Sequence, residues 1–356
     1  MAPAAALTQP AFHRQKLAAL AAIMAGATER MLARWCALPG GAPFDLAAEM
    51  MRLTLGIASL AFFGVDISGA ADAVGAAVLE VSRWADVRTR SIIRLPTSLP
   101  TPANLRARRA VRALDDVVFR IIGERRRSGE EHHDLLSMLL HARGEDGQGM
   151  SDQQLRDEVM TFLLAGHETT ALALTWSFYL LARDPQAFAR VREEAQRELA
   201  GRAPGADDLS RLPYAGMVVE EALRLYPPAW LFERQANQDD VIEKYRVPKD
   251  ALLIICPYVL HRHPAFWDHP ERFDPERFTA ERSAQRPRFA YLPFGGGPRQ
   301  CIGNQFALME ARLVLAMVAQ EFAPRLVPGR SVALEALVTL RPRGGLWMTL
   351  AEGARA

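Results

Sequence analysis

The residues with the most chemical potential lie in Phe294-Gly-Gly-Gly-Pro-Arg-Gln-Cys-Ile-Gly303. Cys301 follows a glycine-rich turn and opens an apolar helical run through Ile302, Phe306, Ala307, Met309, Leu313, Leu315, Met317 and Val318. Gly295, Gly296 and Gly297 carry no side chains, so a flat group can approach the backbone closely. Pro298 stiffens the turn ahead of the helix. The free N–H groups at the helix start, with the positive end of its dipole, favour a thiolate on Cys301. Arg299 adds positive charge and suits an anionic group such as a carboxylate. A buried cysteinate with glycines clearing one side suits an axial ligand to haem iron. The competing reading is an inert core cysteine. A phosphate loop is excluded, because no G-x-G-x-x-G or G-K-[ST] pattern is present.

A second constellation, Ala165-Gly-His-Glu-Thr-Thr170, interrupts two apolar stretches of one long helix. The charged pair His167 and Glu168 at its centre argues against a membrane span. His167-Glu168-Thr-Thr-Ala171 lacks the second histidine of the H-E-x-x-H metalloprotease pattern. Two readings stay open: a polar patch satisfied inside the core, or a site in which Gly166 makes room for a diatomic molecule. In the second, the Thr169 hydroxyl back-bonds the preceding turn or holds water, and Glu168 delivers protons through that water. A third element, Glu221-Ala-Leu-Arg224, places two charges on one helix face with Tyr214, Met217, Val218 and Leu225, so they point inward and need partners. The alternative is a surface Glu220–Arg224 pair. His261 and His263 have zinc-like spacing but no further ligands, and are expected to hydrogen-bond locally.

These motifs together resemble the cytochrome P-450 family. Phe294, Gly297, Arg299, Cys301 and Gly303 match its signature F-x-x-G-x-R-x-C-x-G, and Ala165–Thr170 matches its A-G-x-[DE]-T-T stretch. The resemblance implies a mainly α fold with a small β-region (α+β), as one domain over residues 1–356. It implies haem b (iron protoporphyrin IX), with Cys301 as the metal ligand and Phe294, Gly295, Arg299 and Gly303 in the cofactor-binding loop. Ala165 and Gly166 then shape the oxygen site, and Thr169 with Glu168 forms the proton-relay pair that protonates dioxygen. Glu221 and Arg224, with Arg277 of Pro275-Glu-Arg-Phe278, form a buried network behind the thiolate. Arg234 stands where the family places a propionate-binding arginine. The implied function is a monooxygenase acting on a small apolar organic substrate (fatty-acyl, terpene or polyketide-like) with O2. Electrons come from a separate ferredoxin or flavodoxin-type protein and its reductase, and Arg288 and Arg299 face that acidic donor. The alternatives are a haem-binding sensor or carrier, and peroxide-driven oxygenation. The family's usual chain has about a hundred more residues at its start. Gln9-Pro-Ala-Phe12 resembles the segment after a W-x-x-x-R helix, so that propionate clamp, the first strands and the roof loop are expected to be absent.

The elements that must position these residues follow from periodicity. Helices are expected over Lys16–Trp35, Asp45–Phe63, Ala71–Arg90, Asn104–Arg127 with Asn104 as N-cap, Asp134–Arg143, Pro185–Leu199 and Pro213–Tyr226. The long helix is expected from the Ser151 cap to Arg183, a span of roughly 50 Å. Prolines mark a loop over Ile92–Pro102, and Gly144–Gly149 reads as a turn. Strands are expected around Leu231–Phe232, Val241–Ile242 and Ala251–Cys256, with an exposed edge, then near Val332–Leu334, Val338–Leu340 and Leu346–Leu350. Between them His263–Pro293 reads as loop. The 356 residues, 49% hydrophobic and 24% charged, suffice for one large core. A formal net charge of +2 argues against nucleic acid as a partner. Three scattered cysteines exclude a disulfide framework and favour a reducing cytoplasm. The N-terminal residues lack the features of a signal peptide or membrane anchor.

Overall fold

The computed structural model describes residues 17–91, 96–128, 134–143 and 147–350. The expectations for residues 1–16, for 92–95 of the proline-rich loop and for 144–146 of the turn lie outside these. The architecture is mainly helical with small antiparallel sheets, as the sequence implies.

Helix α1, Leu17–Cys36, buries Leu20, Met24, Met31 and Trp35 along one side. Strand β1 is Phe44–Asp45 and helix α2 is Leu46–Phe63. The Asp45 carboxylate caps α2 by accepting from the Ala47 N–H. Gly64, at φ 66°, ends it in the left-handed conformation that only glycine adopts freely. By length and hydropathy α2 is apolar enough to cross a membrane, but 67% of it is buried inside the protein, which fits a core helix.

Helices α3, Ala71–Arg90, and α4, Pro102–Ser128, pack side by side. Asn104 is not the N-cap of α4. The Thr101 hydroxyl accepts from the Asn104 N–H at 3.2 Å, while the Asn104 side chain is buried, donating to Pro96 and Leu99 carbonyls and accepting from Trp84. Asparagine satisfies more groups by crossing to α3 and the loop than by capping its own helix. Arg106, Arg108, Arg109 and Arg112 lie exposed, as expected. The short α5 is Leu135–His141.

Helix α6, Asp152–Arg183, starts at a capping box in which the Ser151 hydroxyl and the Gln154 side chain bond reciprocally. It lies most closely on α2. Asp184 then caps α7, Pro185–Leu199, and α8 follows at Pro213–Leu225. Strands β2 (Phe232–Gln235) and β5 (Leu252–Ile255) form one hairpin; β3 (Asp240–Ile242) and β4 (Tyr245–Val247) form another. Their outer residues Val241, Ile242, Leu252 and Ile254 are exposed. A short helix α9, Pro257–Leu260, follows β5, and the segment expected as loop, His263–Pro293, contains a 3-10 turn at Pro275–Phe278 and a short helix α10, Ala280–Ala284.

Helix α11, Asn304–Glu321, packs against α1, α6, α7 and α8. Strand β9, Trp347–Leu350, lies between β1 and β6, Pro324–Leu326. Strands β7, Leu334–Ala336, and β8, Leu340–Pro342, form a last hairpin. They begin two residues after the expected starts at Val332 and Val338. Apolar type alone did not fix the register, because the turn between them sets the pairing.

Candidate active site

The cysteine loop is a chain of backbone turns. The Gly295 N–H donates to Leu292 at 3.2 Å, Gln300 to Gly297 at 3.0 Å, and Cys301 to Phe294 at 2.9 Å. Gly295 and Gly297 sit at φ 68° and 71°, where a side chain would be strained. A Cβ on Gly297 or Gly303 would meet nothing within 4 Å, so this side of the loop faces open space. Cys301 is exposed, where a buried residue was expected. The surrounding protein nevertheless pushes its thiol above the ordinary range, and the Gly303 N–H offsets this only in part. The N–H at the helix start acts toward the thiolate, as expected, but burial outweighs it. Metal coordination deprotonates a thiol outright. Among the described residues no group of three or more His, Cys, Asp or Glu could hold a metal ion. A single soft donor beside an open face fits a metal that brings its other ligands in a plane, and haem is such a group.

Behind the loop lies a fully enclosed charge network. Glu221 and Arg224 are 0% exposed. Arg224 donates to both Glu221 oxygens at 2.6 and 2.8 Å, and to the carbonyls of His261, Pro270 and Arg272. Arg277 approaches Glu221 at 3.5 Å, and the Asp274 N–H donates to the same carboxylate at 2.9 Å. Burial pushes Glu221 upward and Arg224 opposes it. The inward-facing arrangement inferred from spacing is the one present, not a surface Glu220–Arg224 pair.

At the centre of α6, Ala165 is exposed and Thr169 half-buried, while Leu163, His167, Glu168 and Thr170 are buried. Ala165 and Thr169, four apart, thus share one open strip. The Thr169 hydroxyl donates to the Ala165 carbonyl at 2.8 Å. Two expectations change here. A Cβ on Gly166 would meet the Phe62 ring at 2.9 Å, so the space beside Gly166 belongs to α2 and not to a diatomic molecule. Glu168 does not share the strip of Thr169, because adjacent helical residues point about 100° apart. Its carboxylate is buried, accepts from Thr339 at 2.7 Å and pairs with Arg341 on the β7–β8 hairpin. His167 is buried with Nδ1 against the Leu163 carbonyl at 2.8 Å, and desolvation holds its pKa below the usual range.

Two rings connect α6 with the cysteine helix. Phe62, which fills the space beside Gly166, lies 5.0 Å between centroids from Phe306 of α11. Cys301 is five residues before Phe306. Arg234 is half-buried on the face of β2 that it shares with Phe232, and among the described residues it has no carboxylate partner. Arg299 is exposed. A groove of about 400 Å³ between α3 and α4 is lined by Glu80, Arg83, Trp84 and Arg106. Its charges are largely paired, Arg106 with Glu80 and Arg83 with Glu335.

Sequence reasoning missed Arg341, Thr339 and Thr54, whose hydroxyl donates to the His167 carbonyl at 2.9 Å. It gave His261 only a local role. None of these residues sits in a motif, and each acts on a group more than 30 residues away in sequence.

A family model described as Cytochrome P450 matches residues 5–344. The chain is 39% identical over 335 residues to "Cyclooctatin synthase" of Streptomyces melanosporofaciens, covering 92% of this chain and 71% of that one. It is 38% identical over 328 residues to the same organism's "Cyclooctat-9-en-7-ol 5-monooxygenase", covering 92% and 71%. "Pentalenene oxygenase" of Streptomyces avermitilis is 35% identical over 340 residues, covering 94% and 74%. Among solved structures, the "cytochrome P450DA heme domain" superposes with a TM-score of 0.87 at 31% identity, covering 99% of this chain and 78% of that one.

Proposed function

The chain belongs to the cytochrome P450 family, a haem-dependent monooxygenase family, and from that premise we propose that it inserts one oxygen atom from O2 into an unsaturated carbocyclic, terpene-like skeleton. Two of the relatives' names print such compounds, an alkene and an alkenol. The whole chain acts as one domain, which one continuous hydrophobic cluster from α1 to β9 supports. The observation that carries the reading is Cys301, set at the start of α11 on a loop whose glycine side is open and whose back rests on the Glu221–Arg224 network.

Cys301 is the haem ligand. Phe294, Gly295 and Gly303 form the loop against the ring, and Arg299 and Arg234 supply charge for the propionates. Haem supplies the oxygen chemistry, with the thiolate donating electron density to the metal. The residues of α6 then do the rest. Ala165 leaves the face across from the sulfur uncrowded. Thr169 turns its hydroxyl from the Ala165 carbonyl to hold a water and pass a proton. Glu168, once its bonds to Thr339 and Arg341 open, takes up a proton from solvent water and passes it to the water held by Thr169. Electrons arrive from a separate acidic ferredoxin or flavodoxin-type protein, for which the exposed Arg288 and Arg299 offer contacts. The free thiols of Cys36 and Cys256 suit the reducing cytoplasm.

The deciding measurement is the absorption spectrum of the reduced protein with carbon monoxide. The red-shifted Soret band of a thiolate ligand is expected, and Cys301→Ser removes it. A wild-type band without the shift, or a shift that survives Cys301→Ser, overturns the assignment.

A further inference from the structure

We propose that His261 is a positioning residue, whose imidazole ties the cysteine loop to the buried Glu221–Arg224 pair through the backbone amide of Leu292. The residue follows α9 and is 0% exposed. Its Nε2 lies 2.8 Å from the Leu292 nitrogen, and its Nδ1 lies 3.3 Å from the Arg224 carbonyl. A backbone N–H only donates, so Nε2 carries the lone pair. A carbonyl only accepts, so Nδ1 carries the hydrogen. The ring is therefore a neutral imidazole in one tautomer, bonded at both ends. Burial, with Arg224 and Arg262 nearby, holds its pKa down to about 3, which keeps Nε2 free to accept.

The main chain of His261 repeats the connection, since its carbonyl accepts from Arg224 at 2.8 Å. The ring is also held sideways. Tyr291 lies 5.2 Å away between centroids and Trp267 6.4 Å, and the Tyr291 hydroxyl donates to the Glu220 carbonyl at 2.9 Å. The bond accepted by Nε2 fixes the residue at which the cysteine loop begins. The Leu292 carbonyl accepts from Gly295, and Phe294, one residue earlier than Gly295, accepts from Cys301. A continuous set of hydrogen bonds thus runs from Arg224 through His261 to Leu292, and the turns beyond it reach the sulfur-bearing residue. Among the described residues the Glu221–Arg224 pair makes no hydrogen bond to the loop itself. His261 is the side chain that transmits its position. This rests on Cys301 being the haem ligand.

The test uses the full chain with three side chains at position 261. In His261→Gln the amide oxygen reaches the Nε2 position and still accepts from Leu292. In His261→Asn the shorter amide reaches only the Nδ1 position and leaves the Leu292 N–H without a partner. Two quantities are read at a temperature well below unfolding for all three proteins. The first is the rate at which the haem-loaded protein loses its thiolate-type Soret band with carbon monoxide. The second is hydrogen exchange at the Leu292 amide, read also in the haem-free chain. Losing the acceptor of a sheltered amide is expected to raise both rates about tenfold in the Asn variant, with Gln within about twofold of wild type. Equal behaviour of Gln and Asn, or unchanged exchange at Leu292 in Asn, overturns the proposal. Failure of Cys301→Ser to alter the wild-type band sinks the ligand assignment instead, and exchange in the haem-free chain still decides the role of His261.

Discussion

On the cysteine side of the site, Arg224 alone joins Glu221 to three backbone carbonyls, and both charged side chains are 0% exposed. Along α6, Ala165 is exposed and Thr169 half-buried, and among the described residues the Thr169 hydroxyl bonds only its own helix. Glu168, next to Thr169 in sequence, is tied instead to a separate hairpin through Thr339 and Arg341. The contrast has a chemical sense. On the proposed function, a ligand that holds one metal at one distance gains from a network that cannot relax. On the same proposal, a face that admits oxygen, water and a substrate gains from side chains whose bonds can be exchanged.

This comparison is broken most severely at its rigid side. Arg224→Met leaves the Glu221 carboxylate buried without its partner and frees three carbonyls. A loss of about 3–5 kcal/mol is expected, read by urea unfolding. A variant with near wild-type stability would mean that the network is not what holds the loop. A smaller effect is expected at the packing between the two sides. Gly166→Ala puts a methyl group 2.9 Å from Phe62, whose ring already rests on Phe306 and Phe162. Overpacking should outweigh the helix-propensity gain of alanine and cost about 1–2 kcal/mol. An increase in melting temperature would show that Phe62 moves freely. The smallest stability effect is expected on the open strip. Thr169→Ala should stay within about 0.5 kcal/mol of wild type, while peroxide released per electron pair rises and product falls. Unchanged coupling would remove Thr169 from proton transfer and make the two sides more alike than they look.

The long helix was legible to the residue, because Ser151 and Asp184-Pro185 are local signals that act on the backbone beside them. The buried network was legible too, since Glu221 and Arg224 share a face with apolar residues. Gly166 was misread because a missing side chain says that something comes close, not what. Only the crossing of α2 over α6 puts Phe62 there. Glu168 was paired with Thr169 by adjacency in sequence, whereas helical geometry separates them and the hairpin claims the acid. Asn104 carries the right chemistry for a cap, but neighbours from the preceding loop and α3 compete for its amide. His261 looked like one half of a stray metal motif, and its partner Leu292 is 31 residues away.

By itself the sequence determined where the longer helices form and which charges must be hidden. These depend on residue type and on spacing along one element, which are local quantities. The tertiary structure decided which side of α6 stays open, what fills the gap at Gly166, where Glu168 points and which side chain joins the charge network to the cysteine loop. Each of those depends on the approach of segments far apart in the chain. Such contacts form only when distant apolar faces are buried together, and no single segment encodes them.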